Sequence, residues 1–204
     1  MVLAAVVVGS LSVAVSAPYF PLTPGTTWTF SETTAGLTET WTDTCGGGVQ
    51  MAPFGEVFRI ESKSAGQPTE HSYYQVSGEW VTMVAYVPGK PFAKPMPILP
   101  VQATKKSWTY QGVVEYPSGP VTVDFKFQSN PGGERPFTGR RAKTLVVEMT
   151  GTITSKQGEK FTTRKVSTYA EGMGLVESET RFEMADLKVD RKRTLTEFKL
   201  GASQ

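Results

Sequence analysis

A two-residue alternation of uncharged and charged side chains is the feature that most constrains the fold of this chain. Residues 176–184 place Val, Ser, Thr, Phe and Met at every second position, with charged side chains between them. Residues 121–128 alternate Val and Phe with polar side chains in the same way. Successive side chains of a strand point to opposite faces, so this rhythm predicts half-buried antiparallel strands. After residue 17 the chain holds 26 Thr and 16 Val against 10 Ala and 8 Leu, a balance that favours sheet over helix.

Short turn sequences divide the rest of the chain into strands of similar length. The predicted strands are 27–34, 37–43, 56–63, 69–76, 79–87, 107–116, 121–128, 143–154, 160–169, 172–184 and 187–199, of which the last also suits a helix surface. We predict an all-β fold, a strongly curved antiparallel meander of about ten strands that forms a half-barrel or barrel, with at most one or two short helices. Twisted strands in that number do not stay flat, and a two-sheet sandwich is the alternative.

Two segments are expected to interrupt the meander as irregular connections. Residues 88–100 contain five prolines, which lack the N–H that a sheet ladder needs. The same segment is unusually apolar for a loop, so we expect it to act as a lid that rests on an apolar surface. Residues 129–141 are glycine-rich and basic, which is typical of a polar surface loop.

The N-terminus has the character of a secretory signal peptide. Residues 1–17 carry no charge and end in Val15-Ser16-Ala17, which fits the small-x-small pattern of a cleavage site. They are slightly too few for a membrane span, which needs about 20 apolar residues. We predict a signal peptide over 1–17, one β domain over 18–204 and no transmembrane span in the mature chain. Cleavage after Ala14 and a buried N-terminal strand remain the alternatives. Export predicts the periplasm, the outer envelope or the extracellular space.

Composition limits the chemistry that the chain offers. The formal net charge is +2, from 21 basic and 19 acidic residues, which gives no reason to expect a nucleic acid partner. One cysteine, Cys45, excludes an internal disulfide framework, and one histidine, His71, excludes a His-rich metal site. We expect Cys45 to lie with the glycines at 46–48 in a flexible turn, either free or paired with another chain. Nothing in the spacing of Cys45 and His71 indicates contact. We therefore predict no metal, no cofactor and no catalytic residue.

All basic residues lie after residue 58, and two groups of them are close in sequence. The groups are Arg135, Arg140, Arg141 and Lys143, and then Lys188, Arg191, Lys192 and Arg193. They would suit anionic lipid head groups or acidic cell-wall polymers. We favour the simpler interpretation, in which both groups are solvated side chains that protect sheet edges.

Residues 19–30 (YFPLTPGTTWTF), 99–110 (LPVQATKKSWTY) and 169–176 (YAEGMGLV) carry short aromatic, proline and glycine motifs. Together they resemble the landmarks of a loose set of uncharacterised bacterial secreted all-β proteins. Such proteins are similar, at the level of fold, to the half-barrels of LolA/LolB-type lipoprotein carriers. The resemblance implies an incomplete barrel able to hold an apolar ligand, and it carries no catalytic residues.

Aromatic side chains are plentiful, with four Trp, eleven Phe and seven Tyr. On the inward face of a curved sheet they either fill a core or line a cavity, and the sequence does not separate the two. The leading hypothesis is an exported, non-catalytic cell-envelope protein that binds an apolar small molecule, a lipid or a lipoprotein on its concave face. The predicted ligand-binding residues are Trp28, Trp80, Trp108, Phe92, Met96, Ile98 and Leu99. The alternatives are a structural or accessory subunit that binds another envelope protein and, third, a hydrolase.

Overall fold

The computed structural model describes residues 17–185 and 187–202, and every regular element in that part of the chain is a β-strand. The strands are β1 (Thr27–Thr34), β2 (Leu37–Met51), β3 (Gly55–Ser64), β4 (Glu70–Ser77), β5 (Trp80–Ala85), β6 (Met96–Pro100), β7 (Lys106–Tyr116), β8 (Gly119–Phe137), β9 (Arg140–Thr154), β10 (Lys160–Ala170), β11 (Gly174–Met184) and β12 (Leu187–Lys199). The prediction of an all-β fold is confirmed. The strands number twelve rather than about ten, and no helix occurs among the described residues, which agrees with the predicted limit of one or two.

All twelve strands belong to one antiparallel sheet, in the order β6-β5-β4-β3-β2-β1-β12-β11-β10-β9-β8-β7. Strands that follow one another in the chain pair with each other, with the exception of β6 and β7, and β1 also pairs with β12. This leaves β6 and β7 at the two edges of the sheet. The sheet curls until these edges meet, so the architecture is a nearly closed barrel rather than a half-barrel or a sandwich.

The alternation in the sequence corresponds to the inside and outside of the barrel. On β8, Val123, Phe125 and Phe127 are buried, whereas Asp124 and Lys126 between them are exposed. Period-two alternation therefore predicts correctly which face of this strand meets the core.

Residues 129–141 form the far end of a long hairpin instead of the expected loop. β8 continues through them to Phe137 and β9 begins at Arg140, with the turn residues Thr138 and Gly139 at positive φ. The pairing register shifts between Gly132 and Glu134, because a β-bulge absorbs one extra residue there. The glycines thus accommodate an irregularity within the ladder rather than end it.

Residues 96–100 of the predicted lid form strand β6. Pro97 and Pro100 both pair with residues of β5. Proline is tolerated here because an edge strand needs ladder hydrogen bonds on one side only. The preceding residues are anchored as well, since the Phe92 N–H donates to the Val84 carbonyl at 2.7 Å and the Phe92 ring is buried. The segment is therefore part of the barrel wall and not a separate lid.

Side chains close the gap between β6 and β7, a junction that we call the seam. Trp108 Nε1 donates to the Pro97 carbonyl at 3.0 Å, and the Tyr110 hydroxyl donates to the Lys94 carbonyl at 2.9 Å. The Trp108 ring also packs on Trp80, with ring centroids 4.8 Å apart. At the seam, side-chain contacts thus take the place of a backbone ladder.

Residues 17–26 pack against the end of the barrel at which β10 turns into β11, and they bury Tyr19 and Leu22. The predicted signal peptide, residues 1–17, lies outside the described residues except for its last residue. In the described part of the chain no helix has the length and apolar character needed to cross a membrane.

Candidate functional site

The inward faces of the strands enclose a cavity of about 470 Å³. Its apolar wall includes Tyr74, Met83, Ile98, Phe125, Phe127 and Met149. This volume lies within the range of roughly 300–1,000 Å³ that is typical of small-molecule sites. The sequence left open whether the aromatic side chains fill the interior completely, and the structure shows that they leave room for a small molecule.

The seven predicted ligand-binding residues divide between the cavity and the barrel wall. Those that line the cavity are Trp28, Met96 and Ile98. Phe92 and Leu99 are buried in the core, whereas Trp80 and Trp108 pack together at the seam. The Trp108 ring stacks on Phe127, which does line the cavity, at a centroid distance of 5.1 Å. These four residues therefore belong to the barrel wall and not to the cavity lining.

One part of the cavity lining is charged. It is formed by Glu32 on β1, Asp43 on β2, Lys165 on β10, and Arg191 and Arg193 on β12, which we call the polar cluster. These strands lie next to one another in the sheet, in the order β2-β1-β12-β11-β10. The register places Arg193 opposite Glu32, and Arg191 level with Lys165 across β11.

Arg193 is at the centre of the polar cluster. Its Nε donates to Glu32 Oε2 at 2.7 Å and its Nη1 donates to Asp43 Oδ2 at 3.3 Å. Arg191 Nε lies 3.5 Å from the other oxygen of Glu32. The Arg193 guanidinium also lies 5.1 Å from the centroid of the Phe30 ring, a cation–π contact. The Arg193 and Glu32 side chains are only 16% and 8% exposed, so this is a buried ion network.

The prediction that Lys188, Arg191, Lys192 and Arg193 are all solvated is therefore wrong for Arg193. Alternation along β12 turns Arg191 and Arg193 inward, and it turns Lys192 outward, where it pairs with Glu179 at 3.0 Å. Arg191 remains half-exposed, so it belongs to the rim of the cavity. The first basic group, within residues 135–143, is exposed.

Lys165 is the member of the polar cluster without a partner: no described residue forms an ion pair or hydrogen bond with its ammonium group. Burial lowers the pKa of Lys165 to about 8, and the positive charges of Arg193 and Arg191 act in the same direction. Asp43 and Glu32 oppose this shift. Burial also raises the pKa of Asp43, and the adjacent Arg193 partly offsets that increase.

Further polar atoms of the lining also lack partners. Thr163 Oγ1 and Asp43 Oδ1 are among the atoms buried without a hydrogen bond to any part of the chain that the structure describes. Buried polar atoms in folded proteins are nearly always paired, with protein or with ordered water. These atoms therefore mark positions at which a bound molecule or water would complete the site.

The polar cluster was not predicted from the sequence, although the alternation of side chains along the strands carries a signal for it. Glu32 follows Trp28 and Phe30 in steps of two, and Asp43 follows Trp41 in the same way. Acidic residues in phase with buried aromatic residues are expected to face inward. An inward charge needs a buried partner, although parity does not identify which basic residue supplies it.

Cys45 lies within β2 and is 1% exposed, which corrects its predicted position in a flexible turn. Residues 46–48 form a bulge in the ladder with β3. Cys45 pairs with Ile60, whereas His71 pairs with the next residue, Glu61, so the thiol and the imidazole belong to opposite faces of the sheet. Among the residues that the structure describes, no group of three or more His, Cys, Asp or Glu side chains is placed to hold a metal ion.

Comparisons with known proteins give little further information about this chain. No protein-family model matches it, and no curated protein matches its sequence. Among solved structures, that of a putative lipoprotein from Parabacteroides distasonis aligns with a TM-score of 0.48 and 13% sequence identity, over 89% of this chain and 98% of that one. The likeness to LolA/LolB-type carriers therefore stays a prediction from the sequence.

Proposed function

We propose that this chain is a non-catalytic protein of the cell envelope that binds an apolar or lipid-like molecule inside its barrel. The observation that carries the proposal is the cavity of about 470 Å³ with its aromatic and aliphatic wall. Burying apolar surface contributes roughly 25 cal/mol per Å² before entropic costs, so such a wall supplies affinity without any catalytic group. The apolar leader in the sequence supports export.

The accessory-subunit hypothesis requires a packed interior and a free sheet edge or apolar loop for docking. The cavity argues against the first requirement. The seam argues against the second, because β6 and β7 face each other and residues 96–100 of the apolar segment 88–100 are part of the wall. Ligand binding is therefore the better supported of the two proposals.

A filled-cavity variant tests the proposed function. Met149 lines the cavity on β9, and the next residue, Thr150, belongs to the outer face of the same strand. Met149→Trp should weaken the binding of the hydrophobic dye N-phenyl-naphthylamine by about tenfold or more, because the indole would occupy the space of the ligand. Thr150→Trp, the matched control, should bind the dye within about twofold of wild type.

Dye fluorescence measures both affinities, and circular dichroism establishes that both variants keep the sheet. Native mass spectrometry of the protein purified without detergent would identify a ligand that is retained. Equal dye affinity for the two variants, or no binding of any apolar probe to wild type, would overturn the proposal.

A further inference from the structure

We propose that the ligand carries an anionic head group and that Lys165 binds it. This inference rests on the proposed function and specifies the ligand of the same cavity. Lys165 contributes to the lining at the middle of β10, yet no described carboxylate holds its ammonium group. A cation in an apolar cavity needs a compensating anion, and a bound ligand would supply it.

Among the cavity residues that the structure describes, Lys165 is the one lysine or arginine that no carboxylate pairs with. Arg191, Arg193 and Lys165 face three lining carboxylates, those of Glu32, Asp43 and Glu70. Arg193 binds both Glu32 and Asp43, and Arg191 lies beside Glu32. The third carboxylate, Glu70, is exposed.

Thr163 supplies an independent observation at the same place. It precedes Lys165 by two residues on β10, so both side chains share the inner face of the strand. The Thr163 side chain is about 5% exposed, and its Oγ1 lines the cavity without a hydrogen-bond partner in the described chain. A hydroxyl and an ammonium group on the same face of one strand offer two donors suited to the oxygens of a carboxylate or phosphate.

An apolar surface begins directly beside this head-group site. Met149 of β9 lies opposite Lys165, and Phe127 of β8 lies opposite Met149, so the register places them in one row across the inner wall. A molecule with its acidic group on Lys165 would lay its tail along that row. The cavity of about 470 Å³ suits a single small amphiphile, and we therefore infer a single-chain ligand, either an alkyl carboxylate or an alkyl phosphate.

Displacement of a dansyl-labelled undecanoic acid tests the inference. Wild-type protein should bind dodecanoate or dodecyl phosphate at least about tenfold more tightly than dodecanol, which has the same tail without the charge. The better of the two anions distinguishes a carboxylate ligand from a phosphate ligand. Dodecyltrimethylammonium should bind no better than dodecanol.

Lys165→Met should remove the preference for the anion and leave dodecanol affinity within about twofold of wild type. Lys165→Gln, which keeps a polar side chain, is measured in parallel in case the first variant does not fold. Lys126→Met removes a lysine from the outer face of β8 and should keep the wild-type preference. For a variant that does not bind the labelled acid, calorimetry measures the affinity for each amphiphile directly.

The outcomes separate this inference from the proposed function. Equal affinity for dodecanoate, dodecyl phosphate and dodecanol, or an anion preference that survives both Lys165 substitutions, would overturn the role of Lys165 and leave apolar binding intact. Failure of every amphiphile and of the neutral dye to bind would overturn the proposed function itself. A preference that is lost only in the Lys165 variants supports the inference.

Discussion

Replacing Arg193 with methionine should lower the free energy of unfolding by about 3 kcal/mol, because the change leaves the buried carboxylate of Asp43 without its cation. Removing one partner of a buried ion pair costs about 3–5 kcal/mol. Arg193 holds Glu32 at 2.7 Å and Asp43 at 3.3 Å, and these acidic side chains are 8% and 14% exposed. Arg191 remains 3.5 Å from Glu32, so only Asp43 loses its sole cation in the network, which places the cost at the lower end of that range.

Urea denaturation, followed by tryptophan fluorescence, measures this loss. Arg181→Met is the matched control, since Arg181 pairs with Asp190 at 2.7 Å on the outer face, where the two side chains are 57% and 66% exposed. That variant should lose much less free energy of unfolding than Arg193→Met, because an exposed ion pair contributes little. Adding Asp43→Asn to Arg193→Met should recover a large part of the loss, because the uncompensated charge is then gone. A loss at Arg193 no larger than the loss at Arg181 would refute the reasoning.

Acidic pH should reduce the loss of unfolding free energy that Arg193→Met causes. Burial already raises the folded-state pKa of Asp43 above its ordinary value, and Arg193 opposes that shift, so its removal raises the pKa further. When the pKa of a carboxyl group is higher in the folded state than in the unfolded state, the folded state becomes more stable as the pH falls through the folded-state pKa. The gap between variant and wild type should therefore narrow as the pH falls toward about 4, the value for an unperturbed Asp. A gap that widens on acidification would contradict this account.

The remaining predictions concern three other side chains. The difference in free energy of unfolding between wild type and Lys165→Met should shift in favour of wild type from about pH 8 to pH 10.5, because the folded-state pKa of Lys165 is lowered from 10.5 to about 8 and the unfolded chain then binds the extra proton. Urea titrations of both proteins check this, and a difference that stays constant over that range would contradict it. Cys45 should react with iodoacetamide only after unfolding, since burial raises the pKa of its thiol to about 11 and the thiolate is the reactive form. Alkylation of the native protein at the rate of a free thiol would contradict the burial of Cys45. Trp108→Phe should lower the free energy of unfolding, measured by urea denaturation, by about 1 kcal/mol more than Trp41→Phe does. The reason is that Trp108 Nε1 donates to the Pro97 carbonyl, whereas Trp41 Nε1 has no partner among the described residues. Equal losses would show that this hydrogen bond does not stabilise the seam.

Strand positions could be predicted from side-chain alternation, because every second residue of a half-buried strand is apolar, and the antiparallel direction could be predicted from the short turns between strands. Predictions failed where the backbone ladder continues without that pattern. In residues 129–137 a bulge changes the register, and most of the side chains are solvated, so composition indicated a loop. In residues 96–100 the prolines indicated a break, but an edge strand tolerates them.

The cavity and its charges were beyond the sequence for a different reason. Whether inward aromatic residues leave a void depends on how twelve strands close around them, and residue spacing holds no information about the final diameter. The partnership of Glu32 with Arg193 joins residues that are 161 positions apart. Parity could have placed Glu32 on the inner face, whereas its partner follows only from the pairing of β1 with β12.

That pairing has a consequence for how the polypeptide acquires its shape. β1 can form its ladder with β12 only after the whole chain between them has been synthesised, so this pairing closes the longest loop in the molecule. By contrast, β6 and β7, which are neighbours in mid-chain, are joined by side-chain contacts at the seam. The Gly201 N–H donates to Thr26 Oγ1 at 3.0 Å, which brings the two ends of the strand array together. Joining those ends and cutting within residues 101–105 would give a circular permutant in which every ladder connects consecutive strands. Lower contact order speeds folding, so the rearranged chain should reach the same barrel sooner than the natural one.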